Sequence, residues 1–148
     1  MADEKNYDAL KLENQLCFPL YAAAKEVVRR YKPFLDELDL TYTQYIAMMV
    51  FWDKKELNVK ELGKYLRLDS GTLTPVLKKL EAKGYITRSR SAEDERSLIV
   101  AITDAGEALK EKAVEVPVKM GACVNLTQEE AMLLYRILYK LLESLEDE

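Results

Sequence analysis

The chain has 148 residues, 49% apolar and 32% charged, which allows one domain with a proper core and is short for two of ordinary size. It contains no histidine, so the commonest metal ligand and the commonest general base are missing; most hydrolase and metal-site readings fall away, and no metal or cofactor is expected. The net charge of −4 hides a basic middle: residues 54–90 hold ten Lys or Arg against four Asp or Glu. Such a local excess is the footprint of a nucleic-acid surface, although a solvated helix pair would show the same balance.

In chain order, the acidic start lacks the basic and apolar regions of a signal peptide, and no apolar run approaches the ~20 residues of a membrane span, so the cytoplasm is expected. Leu16, Leu20, Ala23, Ala24 and Val27 recur at helical spacing and predict a helix over about 13–31, with Pro19 either in its first turn or kinking it and Pro33 closing it. Phe34 to Leu38 reads as a short helical turn. A strongly apolar helix follows over 43–53, capped by Thr41 or Thr43.

Two short helices come next. Asn58 caps the first, about 58–66, with Val59, Leu62 and Leu66 inside. The second runs from Ser70 to Lys83 over Leu73, Val76, Leu77 and Leu80, and Gly84 ends it. Pro75 leaves two readings open: Thr74 caps the helix with Pro75 at its first position, or the first turn is loosened. Residues 85–88 and 98–102 read as two strands joined by a charged tip. Thr103 caps a helix that continues to about Lys119 with a bend at Pro117, and Gly121 breaks the pattern. Thr127 to Glu130 is a capping box for the last helix, whose Leu133, Leu134, Ile137, Leu138, Leu141, Leu142 and Leu145 form a stripe.

The fold class is therefore mainly α, an α+β winged helix-turn-helix of about six helices with a two-stranded wing. The major groove admits one helix, whose N-terminal residues must be small and polar to reach base edges. Ser70, Thr72 and Thr74 meet that need, with Lys78 and Lys79 farther along for phosphates. Arg88 and Arg90 rise along the wing and Arg96 sits at its tip, suited to the minor groove, with Asp94 placed to hold the guanidinium. A helical hairpin that packs on another protein is the bland alternative.

Leu62-Gly63-Lys64-Tyr65-Leu66, the run from Asp69 to Pro75, Lys83-Gly84-Tyr85-Ile86 and Asp94-Glu95-Arg96-Ser97, in this order of elements, resemble the MarR family, and its organic-hydroperoxide-sensing OhrR branch in particular. The resemblance spans about residues 10–145. It implies a homodimer built from terminal helices, about 10–40 and 104–148, around a DNA-binding lobe at about 43–102, all within one domain, 1–148. Its partner would be a pseudo-palindromic DNA operator, gripped by two wings. The leucine stripe supports dimerisation independently, although such a stripe is more often intramolecular core.

Cys17 and Cys123 read better as free or redox-active thiols than as a structural bridge. If the first helix begins near Pro19, Cys17 lies at its N-terminal end, where free N–H groups and the dipole favour the thiolate that attacks a peroxide. A small core hydrophobe is the alternative role for a cysteine. Tyr21, four residues on, shares its helical face. Tyr31 and Tyr42 match positions that, by the resemblance, donate hydrogen bonds to the reactive sulfur, partly from the partner subunit. The resemblance also makes Cys123 a resolving cysteine, or else leaves Cys17 to be capped by a small thiol. The expected function is repression released by organic hydroperoxide. A MarR-type repressor answering to a small aromatic ligand is the alternative, and a thiol peroxidase the remote one; an enzyme is not expected.

Overall fold

In the computed structural model, which describes residues 5–146, two single-turn 3-10 helices at Asp8–Leu10 and Leu12–Asn14 lead into α1 (Cys17–Asp36). The first four residues, with part of the acidic start, and the last two lie outside the described residues. Helix α1 begins at Cys17 rather than near residue 13, with Pro19 in its first turn. Pro33 does not close it. It lies inside the helix on an exposed face, where the missing N–H costs a single ladder bond, and the helix runs on through Phe34 and Leu35.

The turn after α1 passes through Asp39, at φ 54°, and delivers α2 (Tyr42–Lys54). Thr41 caps α2 in a reciprocal box with Gln44. Then come β1 (Glu56–Asn58), α3 (Val59–Leu66), α4 (Ser70–Ala82), β2 (Ile86–Arg90) and β3 (Leu98–Ile102). The sheet is antiparallel in the order β1-β3-β2. The wing is the expected two-stranded hairpin, and β1 adds a third strand at its base. Three residues are too few to show an alternating pattern; pairing with β3 makes Glu56–Asn58 a strand.

The helix after the wing is broken earlier than expected. α5 (Asp104–Ala113) gives way at Val114 to α6 (Glu115–Cys123), so Pro117 falls in the first turn of a new helix, where proline costs little. Gly121 lies within α6 rather than ending it. α7 (Gln128–Ser144) follows, with the capping box formed between Thr127 and Glu130.

The core lies between Leu35 and Met120 and centres on α2, whose Ala47, Met48 and Phe51 are fully buried against Leu62, Leu73, Leu77, Leu80, Ile86 and Val100. The Trp52 indole donates to the Gly106 carbonyl at 2.9 Å, fixing the start of α5 beside α2. A Cβ on Gly106 would come within 2.3 Å of the Tyr85 carbonyl oxygen, so only glycine lets α5 dock on the root of the wing.

Candidate nucleic-acid interface and thiol site

Helices α3 and α4 meet through a tight turn. Arg67 takes a left-handed backbone (φ 55°), and the Gly63 position approaches the Leu68 carbonyl so closely that a Cβ would sit 2.7 Å from it. The amide of Thr72 donates to Asp69 Oδ1 at 2.7 Å, which caps α4 and holds the Asp69 carboxyl below its ordinary range. Both readings of Thr74 and Pro75 are thereby corrected in part: Thr74 is not the cap. Its hydroxyl donates to the Ser70 carbonyl at 2.7 Å, and Pro75 is absorbed in the second turn.

With Leu73, Leu77 and Leu80 buried, Ser70, Thr72, Thr74, Lys78 and Lys79 are all exposed. Ser70, Thr74 and Lys78 are spaced by four and form one row; Thr72 and Lys79 flank it. An open groove of about 900 Å³ runs beside this row, between α3 and the wing. Lys60, Lys64 and Arg67 line its α3 side and Arg96 its wing side. The three α3 cations were not singled out from sequence, although Lys60 and Lys64, four apart opposite the buried Leu62, signal an exposed basic face.

The wing arginines have different surroundings. The Asp94 carboxylate does not hold the Arg96 guanidinium. It accepts from the Arg96 backbone amide at 3.0 Å, while the Asp94 carbonyl accepts from Ser97 N–H at 3.0 Å. Asp94 thus shapes the tip, and the Arg96 side chain is exposed. Arg90 is exposed and donates to the Glu95 carbonyl at 3.2 Å. Arg88 is half-buried, its guanidinium on Glu81 of α4 at 3.0 Å, and that bond lowers the Glu81 carboxyl. It ties the wing to α4, where the sequence alone has it rise along the wing among the expected DNA-binding residues.

Cys17 is the first residue of α1 and is exposed, as are Leu16 and Phe18 beside it. Tyr21 is 64% exposed. The other two tyrosines lie elsewhere: Tyr31 and Tyr42 are half-buried with ring centroids 5.0 Å apart, and both stack near Tyr45. Burial, with Tyr31 alongside, raises the Tyr42 phenol above its ordinary value, so its O–H remains a donor at neutral pH. Fourteen helical residues separate Cys17 from Tyr31, a rise of ~21 Å. Within one chain the thiol and this pair of phenols do not meet.

Cys123, the last residue of α6, is also free and exposed. Helix α6 meets the far end of α1, where Lys119 lies 3.4 Å from Glu37. Since α1 is ~30 Å long and Cys123 only ~6 Å beyond Lys119 along its own helix, the two cysteines of one chain are out of reach of a disulfide, which needs Cα atoms within ~7 Å.

Helix α7 has no buried residue. Leu133, Leu134, Ile137 and Leu141 are exposed, as are Val114, Val118 and Leu126. This stripe is not core of its own chain. The end of α7 reaches back to the helix-turn-helix, where Glu146 bonds the Arg67 guanidinium at 2.8 Å.

The model of the family "Transcriptional regulator SarA/Rot" matches residues 29–113. The organic hydroperoxide resistance transcriptional regulator of Bacillus subtilis is 49% identical over 142 residues, 96% of this chain and 97% of that one. The HTH-type transcriptional regulator SarZ of Staphylococcus aureus is 46% identical over 120 residues, 81% of each chain. Among solved structures, reduced AbfR of Staphylococcus epidermidis bound to DNA superposes with a TM-score of 0.78 at 30% identity, covering 94% of this chain and 98% of that one. The disulfide-formed state of AbfR also superposes, with a TM-score of 0.68 at 30% identity, covering 93% and 94%.

Proposed function

The chain belongs to the MarR family of winged-helix transcriptional regulators, OhrR-like within it, and from that premise we propose that it is a homodimeric repressor released from its operator when organic hydroperoxide oxidises Cys17. That it is a DNA-binding transcriptional regulator follows from the family. The redox input, the dimer and the site of action in the cytoplasm are the proposal. One observation carries it: Cys17 opens α1 on an apolar surface that its own chain leaves uncovered, ~21 Å along the helix from the tyrosine pair. A two-fold partner brings its Tyr31 and Tyr42 to this thiol and buries the stripe of α7.

The chemistry balances simply. The thiolate attacks one peroxide oxygen, an S–O bond forms as O–O breaks, and the alkoxide takes a proton to leave as alcohol. Sulfur is oxidised by two electrons to the sulfenic acid, and the peroxide is reduced. A second thiol then displaces water. Cys123 of the partner chain and a small free thiol are the two candidates, since Cys123 of the same chain is too far. The disulfide-formed AbfR structure favours a thiol partner of some kind.

Ser70, Thr72 and Thr74 read bases, Lys78, Lys79, Lys60 and Lys64 hold phosphates, and Arg90 and Arg96 reach along the wing. The dimer meets two half-sites ~34–36 Å apart together, so a modest change of spacing releases both. The test is operator titration before and after a stoichiometric organic hydroperoxide, with non-reducing mass analysis. Loss of affinity together with Cys17 modification, both abolished in Cys17→Ser, is the expected result. Peroxide release that persists in Cys17→Ser would sink the thiol reading and favour a ligand-responsive repressor.

A further inference from the structure

Between the tyrosine pair and the DNA-reading face stands a polar contact that neither site uses. Lys83 follows the last residue of α4 and is that helix's C-cap, where a cation also suits the helix dipole. Its side chain is only 26% exposed and runs back to the turn between α1 and α2. There Nζ donates to the Asp39 carbonyl and, at 3.1 Å, to Gln44 Oε1, with the Asp39 carboxylate 3.6 Å away. We propose that Lys83 is a positioning residue, the link through which a disturbance of Tyr31 and Tyr42 moves the recognition helix; this rests on the redox-repressor reading above.

The partners of Lys83 are the ones such a link requires. Gln44 is 2% exposed, the one polar side chain buried with the core among the described residues. Its Oε1 accepts from the Thr41 amide at 3.1 Å as well as from Lys83. One buried oxygen therefore caps α2 and receives α4. Tyr42 is the first residue of α2, Tyr45 stacks one turn on, and Tyr31 packs against both.

A shift of the tyrosines moves the first turn of α2, and that turn contains the acceptor on which Lys83 depends. Leaving a buried acceptor short of a donor is costly, so the helix end follows the turn. The remaining contacts between α2 and α4 are apolar side chains of the core, which are non-directional and slide more readily. Among the described residues no other polar bond joins α4 to the α1–α2 turn.

Lys83→Met keeps the aliphatic stem and removes the donor. The decisive quantity is the ratio of operator Kd in the oxidised protein to that in the reduced protein, because coupling between two sites is a ratio of affinities. In Lys83→Met, Cys17 is oxidised at the wild-type rate and reduced Kd changes less than about threefold, while the ratio falls by about tenfold or more. Lys83→Arg, which keeps charge and donors, retains the wild-type ratio. An unchanged ratio in Lys83→Met overturns the inference, as does an equal loss of affinity in both states, which marks a structural or phosphate-binding lysine.

If Lys83→Met does not fold, hydrogen exchange on the wild-type dimer decides. Oxidation that alters protection at residues 31–45 and leaves 70–83 unchanged refutes the link; changes in both segments support it. A wild-type protein whose Kd does not respond to oxidation fails the functional reading itself, and the inference falls with it.

Discussion

The winged-helix lobe and the terminal helices of this chain solve the burial problem in opposite ways. From Leu35 to Met120 the chain closes on itself, and Phe51, Leu62, Leu73, Leu77 and Val100 are fully covered by their own neighbours. The N-terminal half of α1 and the whole of α7 bury no residue, yet both display Leu and Tyr side chains to the outside. An apolar stripe of that extent on a capped helix is stable when something covers it. The lobe is therefore the part that folds on its own contacts, and the terminal helices are the part that the proposed dimer would complete.

The sharpest way to break this comparison is to damage each half and ask what fails. Phe51→Ala empties the centre of the lobe and costs about 3–5 kcal/mol, read as a large loss of thermal stability with or without DNA. Ile137→Asp, on the open stripe, leaves the lobe fold intact and instead weakens self-association by about 100-fold or more, about 3 kcal/mol. Sedimentation that finds the Ile137→Asp protein still dimeric at micromolar concentration refutes the assignment of α7. Operator affinity falls with dimerisation, since the two half-sites are no longer bound together.

Smaller effects refine the DNA-reading face. Arg96→Ala lowers operator affinity by about 1–3 kcal/mol, whereas Lys64→Ala weakens binding to all sequences alike and lowers the salt slope by about one. Salt titrations of the two variants separate base reading from phosphate holding. Asp94→Ala acts on the same tip by loosening its backbone, so it costs affinity despite removing a negative charge.

The cap and the carboxylates come last. Thr127→Ala removes the reciprocal cap of α7 and costs about 1 kcal/mol, seen in the dimer rather than in the lobe. Asp69, Glu81 and Glu107 are held below their ordinary carboxyl values by Thr72, Arg88 and Lys55, respectively. A depressed folded value means that the stabilisation is present at neutral pH and lost as pH falls through and below the ordinary carboxylate range, about 4. An acid titration of the melting temperature checks this; with Asp69 exposed and Glu81 and Glu107 only half-buried, solvent screens all three and the slope is shallow.

Much of this organisation was legible from residue order. The spacing of Leu73, Leu77 and Leu80 marks the buried side of α4 and thereby exposes Ser70, Thr74 and Lys78. Thr41, Asn58, Thr103 and Thr127 each announce a helix start, and all four accept the expected amide. Local chemistry decides these features, so a local reading finds them. Elsewhere the outcome depends on how the chain pairs and turns rather than on side-chain type. Glu56–Asn58 is a strand because β3 is there to pair with it. Arg88 turns inward because Glu81 offers a carboxylate seven residues earlier, on another element. Asp94 serves the backbone because the hairpin closes tightly on it.

By itself the sequence determined the helical periods, the caps, the basic middle and the positions of the two thiols, all of which follow from side-chain type and spacing within a few residues. Only the tertiary structure decided that the α7 stripe faces away from its own core, that Cys123 lies at the far end of α1 from Cys17, and that Lys83 reaches Gln44. Those depend on contacts between elements remote in the chain, 39 positions apart for Lys83 and Gln44, which a chain acquires only when its elements pack.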